Sequence, residues 1–202
     1  LHGEKLSKTA GRIIDTVDLV NKFGADALRY FLLREIPFGQ DGDFSEEALK
    51  SRINNELAND LGNLLSRILS LVEKNFDGKI SKTEADNKLI NKLKLNVIQN
   101  FMENYELHNA LNEIFGFVKE CNKYIDQEKI WQLKGKGLQD DLYTLLESLR
   151  IISILLSPFM PETSEKINKQ LNIKSGNFED CKFGLINSYK IRRGKILFEK
   201  IN

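Results

Sequence analysis

Residues 45–74, SEEALKSRINNELANDLGNLLSRILSLVEK, hold the strongest helical pattern of the chain. Ser45 is a good N-cap, and Glu46 and Glu47 follow it in the first turn, where the helix dipole favours anions. Apolar residues then recur at spacings of three and four, which predicts one amphipathic helix of about eight turns. These residues are Leu49, Ile53, Leu57, Leu61, Leu64, Leu65, Ile68, Leu69 and Val72.

Amphipathic segments on both sides of this stretch predict further helices. We expect helices over 17–23 (capped by Thr16), 25–34, 107–125, 139–156 and 162–171, with another that a Thr83–Asp86 capping box begins and that carries its apolar stripe to Phe101. A break near Tyr105 separates that helix from the next. The tail, residues 172–202, predicts either a short hairpin or a helix followed by an extended strap.

The fold class follows from these helices and from the scarcity of proline. Only 3 of the 202 residues are proline, which helix interiors exclude. Consecutive helices joined by short loops pack as antiparallel neighbours. We therefore predict an all-α protein built as an antiparallel helix bundle.

Composition narrows the classes of function. The chain has 30 basic and 29 acidic residues, so any contact with nucleic acid needs a local basic patch. Cys121 and Cys181 form no disulfide framework or metal-binding motif, which predicts free thiols in the cytoplasm. His2 and His108 stand far apart, and we predict no metal site. Since no apolar run nears the ~18 residues of a membrane span, we predict no membrane partner.

The opening loop carries the first candidate chemistry. Lys5, Ser7, Lys8 and Thr9 place two ammonium groups and two hydroxyls within five positions of a glycine-flanked segment. Such a loop can wrap polyphosphate and neutralise charge that develops during nucleotidyl transfer. A solvated loop with ordinary lysines explains the same composition.

Longer stretches give this loop a context. The segment KLSKT at 5–9 resembles the KMSKS signature of class I aminoacyl-tRNA synthetases, and GADALRY at 24–30 resembles a segment of the same enzymes. Within the class, three further stretches resemble the methionyl-tRNA synthetases: LLREIPFGQD at 32–41, LANDLGNL at 57–64 and LRIISILLSPFMP at 149–161. The resemblance covers roughly Lys5 to Leu171 in the family's order.

This resemblance implies the C-terminal part of such an enzyme. It divides the chain into a signature loop with small connecting helices (1–43), an anticodon-binding helix bundle (44–171) and a C-terminal strap that packs on the bundle (172–202). The parent enzyme would join methionine to tRNA(Met) through a methionyl-adenylate, with ATP as a substrate accompanied by Mg²⁺. The N-terminal catalytic domain would precede Leu1, so the fragment alone should be inactive.

The resemblance also assigns residues. Lys8 matches the signature lysine that contacts ATP phosphates and acts in catalysis, and Lys5, Ser7 and Thr9 would support the closed, ATP-binding loop. Asn63, Arg67 and Trp131 match the positions that read the CAU anticodon. Asn and Arg offer hydrogen bonds to base edges, and an indole stacks on an unpaired base. Ile130 stands where the family often has proline.

Other interpretations remain open at this point. The signature loop and the ADALRY helix also suit cysteinyl-, leucyl-, isoleucyl- or valyl-type synthetases, and amphipathic helices alone suit a non-catalytic interaction module. A solvated helix face explains Asn63 and Arg67, and a core or capping role explains Trp131. The basic cluster of Lys190, Arg192, Arg193 and Lys195 fits either contact with tRNA phosphates or a solvated strap.

Overall fold

The computed structural model describes residues 15–42 and 44–201, and helices account for most of them. The predicted helix bundle is confirmed, with one small two-stranded sheet added. In chain order the elements are α1 (Thr16–Phe23), α2 (Ala25–Glu35), α3 (Glu46–Arg52), a π-helix (Ile53–Gly62), α4 (Asn63–Phe76), β1 (Lys79–Ser81), α5 (Asn87–Ile90), α6 (Leu95–Glu103), α7 (Leu107–Gln127), a 3-10 turn (Ile130–Gln132), α8 (Gly135–Leu156), α9 (Pro161–Leu171), a second 3-10 turn (Phe178–Asp180) and β2 (Ser188–Lys190).

The helix predicted from residues 45–74 forms as one continuous rod of α3, the π-helix and α4. The Ser45 hydroxyl accepts a hydrogen bond from the Ala48 amide, as expected of an N-cap. The rod ends at Asp77, whose φ of 48° is left-handed. All nine residues of the predicted apolar stripe are buried. The rod therefore supplies one long wall of the core.

The middle of this rod is wider than predicted. A π-helix bonds i to i+5 instead of i to i+4, so each turn holds an additional residue. The stripe Leu49, Ile53, Leu57 and Leu61 advances by four at every step, and each of these side chains is at most 2% exposed. In an α-helix of 3.6 residues per turn, three such steps drift by about 120° around the axis. The wider turn reduces that drift and keeps the stripe on the core side.

Several boundaries differ from the predicted ones. Asp15, and not Thr16, caps α1, because its carboxylate accepts from the Val17 amide. Asp86 alone caps α5 by accepting from the Lys88 amide at 2.8 Å, and no capping box with Thr83 forms. The helix predicted up to Phe101 is two helices, α5 and α6. α8 starts earlier than expected, at Gly135.

Two side chains of α2 tie this helix to the start of α9 and the residues just before it by four hydrogen bonds. The buried Asp26 carboxylate accepts from the Thr163 amide at 2.6 Å and from the Thr163 hydroxyl at 2.7 Å. The Arg29 guanidinium donates to the carbonyls of Pro158 and Phe159, both at 2.8 Å. α2 is thereby fixed against the start of α9, so Asp26 and Arg29 act as structural residues.

A buried carboxylate links α2 to the π-helix. Glu56 is 7% exposed and accepts a hydrogen bond from the Tyr30 hydroxyl. Arg52 lies 2.7 Å and Arg34 3.6 Å from its other oxygen. A buried charge is tolerated only when it is paired in this way.

The tail forms no hairpin of its own, and its described residues, 172–201, contain no α-helix. Instead, β2 pairs antiparallel with β1, and Ile80 lies opposite Tyr189. The sequence analysis predicts neither strand. Tyr189 is 1% exposed and its hydroxyl donates to the buried Glu147 of α8. The pKa of the Tyr189 hydroxyl is raised, mainly because the side chain is buried and further because Glu147 lies beside it. Tyr189 therefore anchors the tail in the core.

Candidate nucleic-acid interface

An open cleft of about 340 Å³ lies between α4, the end of α7 and the 3-10 turn that follows it. Two of the residues predicted to read bases, Arg67 and Trp131, line it together. The remaining lining residues are Ser66, Ser70, Leu71 and Ile125. An apolar floor with a few polar groups on its rim suits a flat aromatic ligand such as a nucleobase.

The local backbone presents the indole of Trp131 to solvent. Lys129 has a left-handed φ of 48°, which turns the chain sharply out of α7. Ile130 is fully buried and anchors the 3-10 turn, whereas its neighbour Trp131 is 51% exposed. Ile130 thus fixes the turn by packing. A large aromatic side chain that is half exposed beside a cleft is available for stacking.

Arg67 lies across the cleft from the end of α7. Its guanidinium forms an ion pair with Asp126 at 2.5 Å, and its side chain is 28% exposed. The planar guanidinium is thereby held in a defined orientation while part of it still faces solvent. Because Asp126 is 59% exposed, the pair contributes only about 0–1 kcal/mol to stability.

Asn63 does not line the cleft. It is the first residue of α4, one turn before Arg67 and on the same helix face, and its side chain is exposed. The π-helix directly before it is braced from α7, because the Asn122 amide donates to the Asp60 carbonyl at 3.0 Å. Burial raises the pKa of the Asp60 carboxyl, and Lys119 at 3.9 Å opposes this effect. Asn63 therefore lies one helical turn from Arg67, outside the cleft.

Further hydrogen bonds fix the end of α7 that carries Ile125 and Asp126. The Tyr124 hydroxyl lies 2.8 Å from Asp86, the cap of α5, and 2.6 Å from Asp141 on α8. Burial raises the pKa of the Asp141 carboxyl, and the neighbouring carboxylates add to the effect. Three elements thus converge under the cleft. Sequence analysis did not foresee this cluster, because its members lie far apart in the chain.

Other predicted features have a simpler outcome. Lys5, Ser7, Lys8 and Thr9 lie outside the described residues. Within 15–42 and 44–201, no three His, Cys, Asp or Glu side chains come together in an arrangement that could hold a metal ion. No helix in these ranges has the length and apolarity needed to span a membrane. Both cysteines are free and buried, and burial raises the pKa of Cys181 to about 11.

Two protein-family models match successive parts of the chain. Residues 1–69 match the family described as tRNA synthetases class I (M). Residues 87–190, just over half of the chain, match the family described as the anticodon-binding domain of tRNA ligase. The first match contains Asn63 and Arg67, and the second contains Trp131.

The names of similar proteins indicate that the amino acid attached to tRNA by these relatives is methionine. The methionine–tRNA ligase of Caldanaerobacter subterraneus subsp. tengcongensis is 46% identical over 217 residues, covering 100% of this chain and 34% of that protein. The Bacillus subtilis enzyme of the same name is 39% identical, covering 98% of this chain and 32% of that protein. The structure of Mycobacterium tuberculosis methionyl-tRNA synthetase bound by methionyl-adenylate superposes with a TM-score of 0.89 at 34% identity, covering 98% of this chain and 42% of that one. The chain belongs to the methionyl-tRNA synthetase family.

The chain spans about a third of the length of the methionyl-tRNA synthetases it matches. The predicted family and fold are confirmed by these matches. They favour methionine over the cysteine, leucine, isoleucine and valine alternatives, and a synthetase over an unrelated helical scaffold. Methionyl-tRNA synthetases use ATP, as the adenylate in the Mycobacterium tuberculosis structure illustrates.

Proposed function

We propose that this chain is the tRNA-recognition part of a methionine–tRNA ligase and that its cleft reads the CAU anticodon of tRNA(Met). The observation that carries the proposal is the placement of Arg67 and Trp131 in one open cleft, with Asn63 one turn away on the same helix face. Anticodon bases are unpaired and accessible, so they can be stacked and hydrogen-bonded at once.

Each side chain then has a separate role. The half-exposed indole of Trp131 stacks on one base, whereas Arg67 and Asn63 bond to base edges. Asp126 orients the Arg67 guanidinium and, as an anion on the rim, disfavours close approach of a phosphate to this point. The hydroxyls of Ser66 and Ser70 add further donors and acceptors in the cleft.

The remaining roles concern the whole protein. We propose that Lys8 contacts ATP phosphates and offsets charge on the pyrophosphate that leaves as methionyl-adenylate forms, with Lys5, Ser7 and Thr9 supporting the loop. Methionine, ATP and Mg²⁺ would bind mainly to a catalytic domain that precedes these residues, so the 202 residues alone should not form adenylate.

The two free cysteines support a reducing compartment, the cytoplasm.

The three-part division of the chain is likewise proposed. The Asp26–Thr163 and Arg29–Phe159 contacts support a connecting region at 1–43 that docks on a bundle at 44–171. Pairing of β1 with β2 supports a strap at 172–202 that packs on this bundle.

Substitution of the two base-edge residues tests the cleft assignment. We expect Arg67→Ala to weaken binding of an RNA hairpin with a CAU loop by roughly 12- to 140-fold, because hydrogen bonds to charged groups contribute about 1.5–3 kcal/mol. Asn63→Ala, which removes a neutral partner, should cost less. Fluorescence anisotropy with labelled hairpins measures both effects.

A conservative variant is the matched control. Arg67→Lys keeps the positive charge but loses the planar fork, so base discrimination should fall while attraction to phosphate remains. Full recovery of CAU preference in Arg67→Lys, or wild-type affinity in Arg67→Ala, would contradict the base-reading role of Arg67. Thermal unfolding should change little in any of these variants, since the side chains lie at the surface.

A further inference from the structure

Four cations of the tail form a basic strap that borders the cleft; this strap consists of Lys190, Arg192, Arg193 and Lys195, all of them exposed. Ser70 lines the cleft, and the Arg193 guanidinium donates to its hydroxyl at 2.9 Å. Ser66 lines both the cleft and a smaller adjoining cavity whose other wall includes Arg193 and Lys195. The strap is therefore continuous with the α4 side of the cleft.

Gln170 of α9 holds the backbone of the strap in place. The Gln170 carbonyl accepts from the Arg192 amide at 2.8 Å, and its side chain bonds to the Gly194 amide and the Lys195 carbonyl, both at 3.1 Å. Gln170 is only 8% exposed, so it is itself fixed by packing. A Cβ on Gly194 would lie 3.1 Å from the Gln170 side chain, so a larger residue there would require Gln170 to shift. The cations are thus presented from an ordered backbone.

The charge of the strap is poorly neutralised by its surroundings. Arg193 pairs with Glu73 at 3.1 Å, but Lys190, Arg192 and Lys195 form no ion pair with any described residue. Lys79 stands directly opposite Lys190 across the two-stranded sheet, and like charges in that position repel.

A second basic surface continues beyond Arg192. There Arg192 lines an open pocket of about 590 Å³ with Lys169 and Lys174, and no carboxylate is among its described lining residues, although Lys169 pairs with Glu165 at 2.7 Å. The net charge of the chain is only +1, but these cations lie together along one path that starts at the cleft. Such a path matches the phosphates of a nucleic-acid backbone.

We propose that the basic strap binds the phosphate backbone of the RNA whose anticodon bases enter the cleft. This inference rests on the function proposed for the cleft and adds a separate contact surface to it. Arginine and lysine bind phosphate irrespective of the base, so the strap contributes affinity and orientation, whereas the cleft contributes specificity. Arg193 contacts the phosphates next to the cleft, and Arg192 contacts those that lead away from it.

Salt dependence distinguishes these two contributions. Each phosphate contact adds about 0.7–0.9 to the slope of log K against log salt concentration. In the full 202-residue chain, Arg192→Gln with Arg193→Gln should lower the slope for a CAU hairpin by about 1–2 and weaken binding at low salt. The ratio of affinities for CAU and altered anticodons should stay unchanged.

Two control variants accompany the double substitution. Arg192→Lys with Arg193→Lys keeps both charges and should retain most of the slope. Lys92→Gln with Lys94→Gln removes two exposed cations that pair with Glu120 and Glu113 of α7, away from the strap, and should leave the slope at its wild-type value. Thermal unfolding verifies that every variant is folded.

The outcomes separate the strap from the cleft. An unchanged slope in the Gln variant, or a reduction no larger than that of the Lys92/Lys94 control, would overturn the phosphate-binding role of the strap. If wild type showed no anticodon preference but the strap variant still lost slope, the strap proposal would stand as general RNA binding and the cleft assignment would fail.

Discussion

Trp131→Ala should weaken binding of a CAU hairpin by roughly 5- to 140-fold. Stacking of a base on an aromatic side chain contributes about 1–3 kcal/mol, and each 1.4 kcal/mol corresponds to tenfold in affinity. The substitution removes no charge, so the salt dependence of binding should remain that of wild type. Since the indole is 51% exposed, the melting temperature should move little. Anisotropy titrations at several salt concentrations measure both quantities.

Two further variants serve as controls for the effect of Trp131→Ala. Trp131→Phe keeps an aromatic face and should retain most of the affinity. Phe178→Ala removes another partly exposed aromatic, 41% exposed in the second 3-10 turn and outside the cleft, and should leave binding unchanged. Equal losses in Trp131→Ala and Phe178→Ala would mean that the indole does not contact the RNA.

Glu147→Ala should destabilise the protein by about 3–5 kcal/mol, because it leaves a buried guanidinium without its partner. Glu147 is fully buried and accepts two hydrogen bonds from Arg150, at 2.9 and 3.1 Å, one from the Leu185 amide at 3.1 Å and one from the Tyr189 hydroxyl. At about 2–4 °C per kcal/mol, the melting temperature should fall by roughly 6–20 °C. Circular dichroism during heating measures the shift.

A surface ion pair is the matched control for this loss. Glu165 pairs with Lys169 at 2.7 Å, but both side chains are more than half exposed, so Glu165→Ala should cost at most about 1 kcal/mol. A melting temperature in Glu147→Ala as high as in Glu165→Ala would contradict the role of the network. Because Arg150 also donates to the carbonyls of Asp180 and Lys182, Glu147→Ala should loosen the tail that carries the basic strap.

The parts of the fold that local pattern determines could be predicted from the sequence. The rod from Ser45 and its apolar stripe follow from capping and periodicity, which depend on neighbours along the chain. The π-helix was missed although the repeated spacing of four from Leu49 to Leu61 is its signal. β1 and β2 were missed because each has three residues and the partners Lys79 and Lys190 lie far apart in sequence.

The candidate site divides in the same way. Arg67 and Trp131 could be named from the resemblance to the family, and both line one cleft in the structure. No local sequence pattern predicts the ion pair of Arg67 with Asp126 or the hydrogen bonds of Gln170 to the strap, because these contacts join segments that are distant in sequence. The role of Ile130 likewise depends on packing, since its burial anchors the turn that carries Trp131.

Binding of the unmodified chain to four RNA hairpins tests the central claim most directly. One hairpin carries the CAU anticodon, and each of the other three differs from it at one anticodon base. We predict that CAU binds most tightly and that each change costs about 1–3 kcal/mol, or roughly 5- to 140-fold, at a single salt concentration. Equal affinities for all four hairpins, varying only with salt, would contradict anticodon reading by this cleft.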